Sequence, residues 1–241
     1  MTCRGALAMM LVPLFMATAH ASDTTRLSVT AMAGMAAATF PSRGLATQPS
    51  CCTTFGDASG VAASIGVGWS TPIANSLSFH VAASGGLFTL GAEAEEAFGL
   101  VNIGGQPVEA RSRHQLDVTI PRLSAAVGLG WTLWSELSVR GGVGISMPFA
   151  TSVTQSEVLL TPGAVFEDGT TSRNSLNAVP LPELAPWVTV YGNLGYGIDI
   201  SPSLRLLPEV GIEVSLGSPS AALPQMRPIM YTVGLSCQAA L

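Results

Sequence analysis

The chain has 241 residues, of which 48% are hydrophobic and only 10% charged. That is too apolar for a disordered chain and too poor in charge for an ordinary soluble surface, where about a quarter of residues are charged. Ten basic residues, all arginine, stand against fifteen acidic ones for a net charge of −5, which excludes the basic face that nucleic-acid binding requires.

Arg4 precedes an apolar run from Ala6 to Met16, and the small-residue triplet Ala19-His20-Ala21 follows it. This is the layout of a cleaved secretory signal, so residues 1–21 are expected to be removed and the domain to comprise 22–241. The run is short of the roughly 20 residues a membrane anchor needs, and no later run is long enough for a spanning helix.

From there the dominant pattern is alternation. Gly60 to Ser70 carries Val61, Ala63, Ile65, Val67 and Trp69 on one parity and Ala62, Ser64, Gly66, Gly68 and Ser70 on the other; period two means strand. The segments predicted in this way are Leu27 to Ala38, Gly60 to Ser70, Leu77 to Leu87, Leu116 to Leu133 with a bulge at Pro121, Leu137 to Phe149, Trp187 to Ile198, Leu204 to Leu216 and Ile229 to Leu241. Their connections alternate in length. Thr71–Ser76, Trp134–Glu136 and Asp199–Ser203 read as short turns; Pro41–Ser59, Phe88–Gln115, Ala150–Pro186 and Gly217–Pro228 read as long loops. A repeat underlies this, because Val127-Gly128-Leu129-Gly130-Trp131 matches Ile65-Gly66-Val67-Gly68-Trp69, with looser copies at Leu194 to Ile198 and Val233 to Cys237. The unit is a hairpin used four times.

In a soluble sandwich the bulky parity packs inward and the other parity is charged or polar. Here the second parity is Gly, Ala and Ser, which suits the crowded inside of an eight-stranded barrel. The bulky side chains are then left for lipid, and closure pairs every backbone group. Trp69, Phe79, Trp131 and Tyr196 fall near the turn end and Phe149 and Tyr231 near the loop end, as aromatic girdles do.

On these residues the chain resembles the eight-stranded outer-membrane β-barrel family, of the kind seen in OmpA-like transmembrane domains and small stand-alone barrels. The resemblance spans residues 26 to 241 and departs from the family at Leu241, where many members end in an aromatic. It implies an all-β, antiparallel, up-and-down transmembrane barrel in the outer membrane of a Gram-negative bacterium. It further implies contact with outer-membrane lipids and lipopolysaccharide, insertion by the assembly machinery, and no cofactor.

The inward parity is expected to carry an internal ion-pair cluster of Arg122, Arg140, Arg205, Glu209 and Glu213, since an unpaired charge in that interior is costly. Cys51 and Cys52, in the first long loop, are candidates for a vicinal disulfide or two thiols. Cys237 is expected as a free thiol facing lipid, too far from the loop to reach them. His80 reads as a hydrogen-bonded inward residue; His114 lies beside Asp117 with no serine placed by spacing as its nucleophile, so catalytic residues and metal ligands are not assigned. Glu93, Glu95 and Glu96 read as solvating a loop. The expected function is non-enzymatic: a structural membrane component, with adhesion or ligand recognition by the long loops of residues 41–59, 88–115 and 150–186. A narrow passive pore and a lipid A acyl-modifying enzyme are the alternatives.

Overall fold

The computed structural model describes residues 24–39 and 55–241 apart from positions 135 and 222. The expected signal segment and the Cys51, Cys52 pair lie outside the described residues. All regular structure is β: β1 (Arg26–Thr39), β2 (Asp57–Ala74), β3 (Leu77–Ile103), β4 (Gln106–Thr132), β5 (Leu137–Pro148), β6 (Ser152–Leu159), β7 (Ser172–Val179), β8 (Trp187–Tyr196), β9 (Ile198–Ser201), β10 (Leu204–Ser215) and β11 (Ile229–Ala240).

Eight of these strands close a ring in chain order. β1 pairs with β2, β2 with β3, β3 with β4, β4 with β5, β5 with β8, β8 with β10, β10 with β11, and β11 returns to β1. Every pairing is antiparallel, so the ring is an up-and-down barrel with no open edge. Short β9 prolongs the track of β8 against β10, in the stretch read as a turn at Asp199–Ser203.

The side-chain pattern follows the predicted faces. Val61, Ile65, Val127, Leu129, Val233 and Leu235 are all exposed on the outside. Ser64, Gly66, Ala82, Ser124, Ala126 and Thr232 line the inside. A continuous apolar outer face of this kind is a solvent-accessible patch far larger than a water-soluble monomer tolerates, and hydrocarbon is what covers it.

One expected loop is almost wholly strand and another contains a hairpin. The segment read as a loop at Phe88–Gln115 continues both β3 and β4 into one long hairpin, turning at Gly104-Gly105 with φ of 61° and 86°. Positive φ at both central residues is what a two-residue hairpin turn matched to strand twist demands, and glycine supplies it without steric cost. The segment read as a loop at Ala150–Pro186 contains the β6–β7 hairpin, with β6 paired to β4 at 112–119 beyond the reach of β5.

Above the barrel the alternation persists but its phase inverts. On β3 the outward residues run Phe79, Val81, Ala83, Gly85, Leu87 and then Thr89, Gly91, Glu93, Glu95, while the inward ones run Ser78, His80, Ala82, Ser84, Gly86 and then Phe88, Leu90, Ala92. β4 switches at the same level: Leu87 faces Pro121 and Thr89 faces Thr119 across the ladder. Below that level the outside is greasy and the inside small; above it the outside is polar and Phe88, Leu90, Leu116, Val118 and Ile120 are buried. From Leu77 to Leu87, at about 3.3 Å per residue and a tilt of about 40°, the greasy outside rises about 25 Å, the height of an outer-membrane apolar band.

The bulge expected at Pro121 is absent: Pro121 stays in register with Leu87 of β3, just beyond the β4–β5 register that begins at Arg122. It lies where β4 changes partner from β5 to β6, so the missing N–H removes no ladder bond while its carbonyl accepts from the Phe149 amide at 3.0 Å. The irregularity in this hairpin falls higher, between Ala97 and Gly99, where Gly99 takes φ of 116°.

Candidate functional site

The interior has three storeys. At the long-loop end an apolar plug of Phe88, Leu90, Ile120, Val153, Trp187 and Met230 fills the barrel, with Phe88 and Trp187 in edge contact at 6.4 Å between ring centres. Such a plug seals the bore against ions, so Phe88→Ala together with Trp187→Ala is expected to raise conductance in planar bilayers above that of the unaltered barrel.

Beneath it lies a cavity of about 180 Å³ walled by charged and hydroxyl side chains. Arg122 and Glu213 form a two-pronged pair across it: Arg122 Nη1 donates to Glu213 Oε1, Nη2 donates to Oε2 at 2.9 Å, and Nη1 also donates to Ser146 Oγ at 3.2 Å. Arg140 Nη2 donates to Glu209 Oε1, and Asn193 reaches the other carboxylate oxygen at 3.5 Å. The ring nitrogen Nε2 of His80 bonds the Tyr191 hydroxyl.

Room for these long groups comes from glycines on neighbouring strands. Arg122 stands opposite Gly86, Arg140 opposite Gly130, His80 opposite Gly128, Tyr191 opposite Gly142 and Glu209 opposite both Gly195 and Gly234. At Gly128 a methyl group would come within 2.6 Å of the Tyr191 hydroxyl and 2.9 Å of the His80 ring, closer than atoms pack. The glycine-rich parity is therefore a mould for the polar interior.

Arg205 departs from the cluster. Although it shares a strand face with Glu209, its Nε lies 3.5 Å from Asp199 Oδ1, at the short-turn mouth. Glu209 is claimed by Arg140, which reaches over the intervening strand β8 rather than along β10. That mouth forms the third storey, a second cavity of about 90 Å³.

The six aromatic residues lie on the outer face: Trp69, Trp131, Phe149, Tyr196 and Tyr231 are exposed, and half-buried Phe79 packs its ring edgewise on Trp69 at 6.5 Å. Cys237 is a free, outward thiol between Val29 and Leu206.

His114 has neighbours that spacing did not reveal. Asp117 points to the outer face, whereas His114 Nε2 meets Ser112 Oγ at 3.2 Å, Glu96 Oε2 at 3.6 Å and Glu157 Oε1 at 3.8 Å on the inner face of the projecting sheet. Ser112 and His114 are two apart on one strand, which places them on one face and was the available signal. All three oxygens approach the same ring nitrogen. On the outer face of the same sheet Arg113 pairs with Glu95 at 2.8 Å and with Glu93 at 3.7 Å. The bond to Glu95 and then the charge of Glu93 hold the Arg113 guanidinium above its ordinary pKa. In the connection beyond β6 the Thr170 hydroxyl and amide hold the Asp168 carboxylate below its usual range.

No family model matches the chain, and no curated protein does. Among solved structures it is similar to Neisserial surface protein A (13% identity, 89% of this chain and 97% of that one, TM-score 0.39). It is similar also to Ail, the attachment invasion locus protein of Yersinia pestis (9%, 90% and 99%, 0.37), and to the outer membrane protease OmpT of Escherichia coli (8%, 91% and 97%, 0.36). At such identities and scores the likeness is one of general fold alone.

Proposed function

We propose that the protein is a non-enzymatic structural component of the outer membrane of a Gram-negative bacterium, exported with loss of residues 1–21. In this reading the sheet above the apolar band recognises an extracellular ligand. The observation that carries it is the inversion of the pattern above Leu87. A strand pair that only had to cross lipid would turn there, yet β3 and β4 continue, recruit β6 and β7, and present Glu93, Glu95, Arg113 and Asp117 to water. Backbone order on that scale outside the membrane is a platform, and platforms with polar faces serve recognition.

The non-enzymatic reading is supported by His114. Acyl transfer needs a serine at one ring nitrogen and an orienting carboxylate at the other. Here Ser112, Glu96 and Glu157 crowd one nitrogen, and His80 is engaged by Tyr191. Lipids, lipopolysaccharide and the assembly machinery are the partners this reading entails.

The test removes the platform and keeps the barrel. Joining the facing residues Leu90 and Val118 through Asn-Gly is expected to leave a protein whose gel mobility still changes on boiling. Binding of whole cells to an array of glycans and matrix proteins is expected to be lost. Unchanged binding by the shortened, folded barrel would overturn the recognition role.

A further inference from the structure

The apolar plug is not made by the barrel wall alone. Leu181, Leu223 and Met226 belong to the same buried cluster as Phe88, Trp187 and Met230, and they come from two connections at the long-loop mouth, one between β7 and β8 and one between β10 and β11. Neither connection contributes a strand, so its backbone groups must find partners elsewhere. They find them in each other. Ala185 N–H donates to the Pro219 carbonyl at 3.1 Å, Ala221 N–H to the Glu183 carbonyl at 2.9 Å, and Ser220 Oγ to the Pro182 carbonyl at 2.6 Å. Leu181 N–H donates to Thr151 Oγ1 at 3.0 Å, which ties the first connection to the residue just before β6. The two connections are therefore straps, latched together at the mouth.

The latched arrangement carries an internal cost. Among the described residues, the non-glycine residues with left-handed φ are Ala150 (47°), Ala178 (50°) and Glu183 (51°), and all three stand where the β6–β7 hairpin and its exit strap join the barrel. A Cβ crowds the following carbonyl in that conformation, so it persists only where the surroundings impose it. At the inner ends of the straps, the Trp187 indole N–H and the Ser215 hydroxyl are buried without a hydrogen-bond partner among the described residues. Trp187 opens β8 and Ser215 closes β10, so each strap ends on one unpaired polar group. Parting the straps would let water reach both groups and would relax the three left-handed positions. Unpaired buried groups and imposed backbone strain, gathered at one element, are what a two-state segment stores in its closed form.

Below the plug the bore is already wettable. The chamber of about 180 Å³ shares Met230 with the plug and shares Ser70, Arg140 and Gln238 with the cavity at the short-turn mouth. A belt of hydroxyls follows its wall along one row of the ladder: Ser146, Ser124 and Ser84, then Thr30 and Ser236 beyond Gly66. We propose that the two straps are a gate, and that when they part the barrel conducts water and small inorganic ions between its two ends. Leu223 and Met226 leave the plug with their strap. Trp187 is freed as well, since Gly217 of that strap lies against it, a methyl there meeting the Trp187 Cβ at 3.3 Å. An apolar constriction excludes ions by keeping water out, so loosening it admits both.

The experiment is single-channel recording of the full barrel in planar bilayers bathed in potassium chloride, with a cross-link that holds the straps together. Leu184 and Ser220 face each other in an antiparallel bridge, a separation that a disulfide spans. Leu184→Cys with Ser220→Cys is made in a chain carrying Cys51→Ser, Cys52→Ser and Cys237→Ser, so that no other thiol competes. Brief openings are expected in the unaltered barrel, abolished in the oxidised cross-linked variant and restored by dithiothreitol. Ser220→Ala, which removes the bond to the Pro182 carbonyl, is expected to raise the open probability about fivefold. Openings equally frequent in the oxidised and reduced cross-linked forms, an open probability unchanged in Ser220→Ala, or no openings in any of these proteins would overturn the gate. Gel mobility before and after boiling reports each variant's fold separately. None of these results bears on recognition by the projecting sheet, which stands or falls on its own test.

Discussion

Replacing Arg140 by Met is expected to destabilise the barrel by about 3–5 kcal/mol, measured by urea unfolding in phospholipid vesicles, because it strands a carboxylate that has no access to water. The Glu209 side chain is fully buried, and its charged partner is the Arg140 guanidinium, with Asn193 a long 3.5 Å from the second oxygen. Removing the guanidinium leaves the desolvation cost of the carboxylate in place and takes away what offset it. The double variant Arg140→Met, Glu209→Met is expected to recover most of the loss, since exchanging a buried pair for apolar groups of similar volume is often neutral. A double variant as unstable as the single one would mean that Arg140 contributes by filling space beside Gly130 and not by compensating charge. The Arg122–Glu213 pair should behave less sharply, because Ser146 holds the guanidinium from a second side and Glu213 keeps partial exposure.

The barrel was legible in the chain because each strand in the lipid band meets two unlike surroundings. A side chain such as Ile65 faces hydrocarbon and its neighbour Gly66 a crowded bore, so a single period-two signal reports both strand and face. That signal failed at Phe88 for an instructive reason. The residues after Leu87 keep the period while exchanging the faces, which reads as a loss of pattern in any single phase with the bulky residues outward unless the surrounding solvent changes. Gly104-Gly105, a hairpin turn signal lying midway between two alternating runs, was the local evidence for continuation. In the interior, parity alone told which charges point inward, and all five predicted residues do line the bore. Which of them touch depends on distances across the ring and not along a strand. Glu209 and Arg205 are neighbours on one face, yet Arg140, reaching over β8 from the next strand but one, takes the carboxylate and Arg205 turns to Asp199, a residue whose spacing reads as a turn.

The change of phase makes a paired prediction on one strand face. Val127 and Thr119 both point outward from β4, separated by eight residues along the chain, and Val127 sits midway up the greasy stretch opposite Val81 and Val143. Val127→Arg is expected to cost about 2–4 kcal/mol, because a guanidinium at the midplane of the bilayer must thin the membrane or drag water to itself. Thr119→Arg is expected to cost about 0–1 kcal/mol, since the same group just above Leu87 and Pro121 already reaches the interface. Refolding each variant into vesicles and comparing urea midpoints measures the difference. Equal costs at the two positions would place both residues in one solvent, and the belt, the plug and the projecting sheet would all have to be reassigned together. A large cost at Thr119 with none at Val127 would invert the assignment of lipid and water along β4, because nothing else distinguishes two outward positions of one regular strand in the same ladder.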